Sequence, residues 1–138
     1  MRSTFLVVAL SAVLAGCAKP YYSSVRMQMP GNYLVSMVQK TESQEACRAA
    51  SKSYINSIQQ GCAECKVQSF SCGTALAGDE KALWSDAPIP QYSVSSESTR
   101  VLFAGPEQST KPVCDQVARE MSAKGMPATC VPPGQTRK

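Results

Sequence analysis

Six cysteines lie between positions 47 and 130 of this 138-residue chain, and a seventh, Cys17, stands apart from them. Ahead of Cys17, a basic Arg2 precedes an apolar run from Phe5 to Leu14 and a pair of small residues, the order of an export signal. The run is about half the roughly 20 residues needed to cross a hydrocarbon core. Export would carry the rest of the chain into an oxidising compartment, where an even set of cysteines reads as disulfides. Cys47, Cys62, Cys65, Cys72, Cys114 and Cys130 then form three staples. Closing a loop of about 15 residues contributes roughly 3 kcal/mol in the chain-entropy model. That is a large share of the net stability of a small domain, about 5–15 kcal/mol. With no histidine in the chain, mixed Cys/His zinc sites are excluded, and neither a metal nor another cofactor is expected.

Leu14-Ala15-Gly16-Cys17 resembles the lipobox of a bacterial prolipoprotein. The resemblance implies that residues 1–16 are a lipoprotein signal peptide, cleaved before Cys17. The Cys17 thiol would then carry a diacylglyceryl group and its new amino terminus a fatty acyl chain such as palmitate. Two or more chains make a stable anchor where one does not. Ala18 rather than aspartate follows Cys17. By the sorting rule of that family, this implies the outer membrane, facing the periplasm, with the inner membrane and the cell surface as alternatives.

Cleavage would leave 122 residues, the length of one domain. Pro20, Ser23, Ser24, Pro30 and Gly31 mark residues 17–32 as a lipidated tether. The folded domain is expected over 33–132, with a flexible tail at 133–138. Loss of Arg2 lowers the formal charge from +4 to +3, and the remaining basic residues are scattered. No basic stripe with interleaved aromatics is present, which argues against nucleic acid.

Tyr33–Gln39 is rich in β-formers and reads as a strand. Thr41 and Gln44 have the spacing of a capping box. Cys47, Ala50, Tyr54, Ile55 and Ile58 then fall on one helical face, and Gly61 supplies a stop. Cys65–Phe70 reads as the next strand. The same order recurs in a strand at Arg100–Ala104, a helix capped by Ser109 or Thr110 with Pro112 in its first turn, a stop at Gly125, and a strand at Ala128–Val131. Two such βαβ units, about 33–72 and 100–132, predict an α+β, ferredoxin-like double βαβ sandwich, stapled by disulfides. Between them lies an insertion in which Asp79–Trp84 reads as a short helix. Gln91–Ser95 is placed to pair with Arg100–Ala104 as a hairpin. Trp84 is read as a core plug, with a partner contact as the alternative.

Six cysteines allow 15 pairings. The internal correspondence favours Cys114 with Cys130, Cys47 with Cys65, and Cys62 with Cys72. The main competitor joins Cys47 to Cys62 and Cys65 to Cys72. Cys62-Ala-Glu-Cys65 also has the spacing of a thiol oxidoreductase, yet it follows a helix, whereas a reactive thiol is favoured at a helix N-terminus. No other catalytic constellation is present, so the chain reads as a non-enzymatic binding or assembly module.

The stretch from Arg100-Val-Leu-Phe-Ala-Gly-Pro106 through Ala123-Lys-Gly-Met-Pro-Ala-Thr-Cys-Val131 resembles one half of a SPOR-type domain. That resemblance implies a doubled βαβ fold and binding of peptidoglycan glycan strands on the open sheet face. Together these readings give an expected envelope-protein partner in a secretion, pilus or surface-polysaccharide assembly. Peptidoglycan, or thiol–disulfide chemistry at Cys62 and Cys65, is the alternative.

Overall fold

The structure, a computed structural model, describes residues 18–136. It is an α+β fold: nine elements run β1 (Tyr21–Met29), β2 (Tyr33–Thr41), α1 (Gln44–Gly61), β3 (Lys66–Gly73), α2 (Gly78–Trp84), β4 (Tyr92–Ser95), β5 (Thr99–Ala104), α3 (Glu107–Ala123) and β6 (Thr129–Val131). All six strands form one sheet of order β3-β1-β2-β5-β4-β6, and every pairing is antiparallel.

That order is a palindrome. In the first half β1 lies between β2 and β3, and in the second β4 lies between β5 and β6. Both neighbours of each inner strand run against it. The two strands joined by α1, and likewise those joined by α3, are therefore mutually parallel with one strand interposed. Each half is a ββαβ unit, and the halves meet antiparallel at β2–β5, where Val35 faces Phe103 and Met37 faces Val101. The βαβ units expected from the sequence each gain a strand. Gln91–Ser95 pairs with β5 as expected, but it belongs to the second unit as the counterpart of β1 rather than to an insertion.

The residues expected to be a tether supply β1, which corrects that reading. Val25, Met27 and Met29 alternate with Arg26 and Gln28, the period-2 pattern of a strand with one buried face. Pro30-Gly31-Asn32 closes the hairpin, with Gly31 and Asn32 at φ 89° and 58°, a left-handed turn that glycine and asparagine tolerate. Nor does the C-terminal segment leave the fold at residue 133: the Gly134 amide donates to the Ile89 carbonyl at 2.8 Å.

Directly opposed residues share a sheet face. Val25 with Met37, Met37 with Val101, and Val101 with Val94 thus place one continuous apolar face under both long helices. α1 covers Val25 and Met27 with Tyr54, Ile55 and Ile58, and α3 covers Val94 and Phe103 with Cys114, Ala118 and Met121. Capping departs slightly from expectation. Ser43, not Thr41, is the α1 N-cap, its Oγ accepting from the Ala46 amide at 3.1 Å, while the Thr41 hydroxyl donates to the Tyr21 carbonyl. α3 begins at Glu107, so Pro112 falls inside it and forgoes one backbone bond.

The other face carries α2, whose Leu83 packs with Ile89 on Leu102. Arg100 fixes the end of that helix. It donates to the Leu83 and Trp84 carbonyls at 2.6 and 3.0 Å and pairs with Asp86 at 2.7 Å. This is a cation placed where the helix carbonyls lack intrahelical partners. Trp84 is half-buried between the Arg100 guanidinium, 4.7 Å from its ring centre, and the edge-on ring of Tyr22. It docks α2 on the sheet.

Cys114 is joined to Cys130, the pairing favoured by the internal correspondence, with Cα atoms 5.5 Å apart. The other two expected bonds are corrected: Cys47 is joined to Cys72 and Cys62 to Cys65, at Cα separations of 5.8 and 5.4 Å. The competing set, Cys47 with Cys62 and Cys65 with Cys72, is likewise absent. Because β3 runs back along α1, its far end, with Cys72, returns to the start of the helix. Cys65 stays beside the helix end and closes on Cys62 across the turn. Both long-range bonds fasten the helix of a unit to the outermost strand of that unit.

Candidate functional site

α1 sits chiefly over β1 and β3, and α3 over β4 and β6, so each reaches only part of the central pair β2–β5. Above that pair, at the approximate two-fold between the units, lies a groove of about 360 Å³. Its floor is Val35 and Met37 from β2 with Val101 and Phe103 from β5. Tyr54 and Ile58 of α1 form one wall, and Val113, Val117 and Met121 of α3 the other. Met29 and Met126 stand at its ends, and Ser57, Thr99, Glu120 and Lys124 complete the lining. Four of the chain's six methionines line this groove. Methionine thioethers are flexible and polarisable and adapt to varied apolar partners. The groove therefore offers a hydrophobic, adaptable floor between two rigid helices, with charge confined to the rim.

Tyr54 brings the groove's most perturbed titratable group. Burial pushes its phenol up to about 12, with the nearby Tyr33 adding to the effect. Desolvation disfavours the phenolate, so the ring acts as apolar wall with a neutral hydroxyl.

The residues singled out in the sequence lie elsewhere. Cys17 is outside the described residues. Its neighbour Ala18 is exposed and lines an open hollow with Lys40, Thr41, Glu42, Glu97 and Ser98, at the end of the sheet where β1 begins. Cys62 is the C-cap of α1, and Cys65 is 6 % exposed. That places the CxxC pair at the helix end whose carbonyls disfavour a thiolate. The six core cysteines are thus dispersed as staples and do not converge. No group of three or more metal-ligating side chains occurs among the described residues.

Behind the helices, the β1–β3 end of the second sheet face has exposed residues. There Arg26 and Ser71 are exposed, and Arg26 donates to Ser36 Oγ at 3.2 Å.

The wall contributed by α1 was legible from periodicity, since Tyr54 and Ile58 sit on the predicted apolar stripe. That this stripe and the buried face of α3 flank a common groove was not, because that depends on strand order. The clustering of methionines on β1, β2 and α3 was the available signal. Against protein-family models, curated proteins and solved structures alike, the chain returns no match.

Proposed function

We propose that this protein is a non-enzymatic, lipid-anchored envelope domain that holds an apolar segment of another envelope protein in the groove between α1 and α3. The groove carries the proposal. It is a narrow cleft, apolar and rich in methionine, whose floor residues Val35, Val101 and Phe103 are buried, whose walls are half-buried at Tyr54, Ile58, Val113 and Val117, and whose Met126 end is exposed; it draws on both ββαβ units. Apolar clefts between packed helices, lined by half-buried side chains, are common places for a ligand or a partner side chain to dock. An amphipathic helix laid between two helices is an established way to fill such a groove.

Only residues 18–20 separate Cys17 from β1, and three extended residues span at most about 11 Å. Lipidation at Cys17 would therefore hold the domain directly against the bilayer, on the periplasmic side of the outer membrane, rather than on a long leash. In each unit a helix crosses one interposed strand, which supports reading the pair as a derivative of the ferredoxin-like sandwich.

Ile58→Glu and Val117→Glu place a carboxylate on each groove wall at partly buried positions that pack on the core, so each variant must first show an unchanged circular-dichroism spectrum and a cooperative urea transition. Cross-linked pull-downs from detergent-solubilised envelopes should recover one partner reproducibly with the wild type and lose it with either variant. Undiminished capture by both variants would remove the groove from the proposal. Recovery of nothing by the wild type would remove the binding module. Metabolic labelling with a clickable palmitate analogue should mark the wild type and not Cys17→Ala.

One observation favours a second reading, peptidoglycan binding as in SPOR-type domains: the uncovered polar part of the other sheet face around Arg26. Pelleting with purified sacculi, weakened by Arg26→Ala, would support it, and a protein left in the supernatant would end it.

A further inference from the structure

The two edges of the sheet are treated differently. β6 is three residues long and runs directly into Pro132-Pro133, which cannot extend a ladder. β3 is eight residues long, contains no proline, carries one charge, Lys66, at its very start, and has no strand on its outer side among the described residues. Natural sheets blunt a long edge with charge, proline or a covering element, because its unpaired backbone groups template pairing with another chain. Instead β3 presents Phe70, 65 % exposed and the most exposed large hydrophobic residue described.

We infer that β3 is an interface, and that its occupant is β3 of a second copy of this chain, paired antiparallel about Phe70. The strand's own sequence selects this partner. Two-fold pairing centred on Phe70 sets the two phenyl rings side by side, the kind of aromatic cross-strand pair that stabilises a ladder. It sends the two Lys66 side chains to opposite ends of the ladder, each opposite the uncharged Thr74 just past the partner strand, so no like charges oppose. The symmetry closes on itself as an isologous dimer and leaves no free β3 edge. The strand is also held ready: Cys72 near its end is bonded to Cys47, and Cys65 just before its start to Cys62. Pairing therefore orders little that is not already fixed. Both copies would keep their helices on the same side of a continuous sheet, with the grooves open. The inference is independent of the groove and of the lipid anchor.

The test is sedimentation velocity on the chain from Ala18 onward, whose sheet and core are complete. A seven-residue ladder with one aromatic pair is a small interface, so association in the range of about 10–100 μM is expected. The weight-average mass should rise towards twofold across that range, and Phe70→Lys should hold it at the monomer value with an unchanged circular-dichroism spectrum. Hydrogen exchange at high concentration should slow at the amides of Lys66–Gly73 and not at those of β6. A mass independent of concentration to about 500 μM would overturn the inference. So would a dimer that survives Phe70→Lys, or one whose protection maps to the groove.

Discussion

The disulfide connectivity sets up a graded stability experiment. The bonds close loops of very different size, with sequence separations of 25 for Cys47–Cys72, 16 for Cys114–Cys130 and 3 for Cys62–Cys65. If each acts mainly by restricting the unfolded chain, loop entropy gives about 3.5, 3.1 and 1.6 kcal/mol respectively. Paired replacement by alanine removes each bond without leaving a hydroxyl or thiol in the core. The sulfur lost from the helix side is equally buried in the two large loops, since Cys47 and Cys114 are both fully buried. Packing losses therefore add similarly to both and leave the ranking intact. Urea unfolding followed by circular dichroism should show Cys47→Ala/Cys72→Ala and Cys114→Ala/Cys130→Ala each losing roughly 3–4 kcal/mol, with Cys62→Ala/Cys65→Ala losing about half as much. The slope against urea should also steepen for the first two, whose unfolded chains expand when the loop is released, and stay close to wild type for the third. A Cys62/Cys65 variant as damaged as the others, or a Cys114/Cys130 variant within about 1 kcal/mol of wild type, would refute the loop-entropy argument.

Further outcomes follow from single positions. A methyl group on Gly105, at φ +155°, would meet the Tyr33 Cβ and Cα at 2.7 and 2.9 Å, so Gly105→Ala should cost about 2–4 kcal/mol by chemical denaturation, where ordinary surface changes cost under about 0.5. Arg100→Met removes the donor to the Leu83 and Trp84 carbonyls; a loss of about 2–3 kcal/mol is expected, with a red shift in the emission of the single tryptophan as α2 loosens. The Tyr54 phenol stays neutral in the folded state up to about 12, whereas in the unfolded chain it ionises near 10. Its contribution is therefore fully present below pH 10 and is lost as pH rises from there through 12, by up to about 2–3 kcal/mol. A Tyr54→Phe variant should show a flatter stability profile across that window, and a profile identical to wild type would place the alkaline loss elsewhere.

Much of the local structure was legible because its causes are local. The stripe Cys47, Tyr54, Ile55, Ile58 and the stops at Gly61 and Gly125 depend on residues a few positions apart, and both helices lie where they point. The β4–β5 hairpin and the Cys114–Cys130 bond follow from the same short-range order. β1 was hidden by its composition. The prolines, serines and glycine of residues 20–31 read as tether, although Val25, Met27 and Met29 already alternate at strand spacing. A strand with one face on the core and Ser24, Arg26 and Gln28 on the other carries little hydrophobic excess, and only its neighbours β2 and β3 identify it.

What the sequence determined by itself, then, is an α+β chain built from two corresponding units, six core cysteines available for three bonds, and an amino-terminal segment resembling a lipoprotein signal. Tertiary structure alone decided which strands are neighbours. Placing β1 between β2 and β3 carries Cys72 to the start of α1, setting the cysteine pairs. Joining the units at β2–β5 parts the two helices and opens the groove. Leaving β3 outermost bares Phe70. Each outcome depends on contacts between residues far apart in the chain, whose pairing is settled by burying the two apolar sheet faces together, and no local pattern encodes that choice.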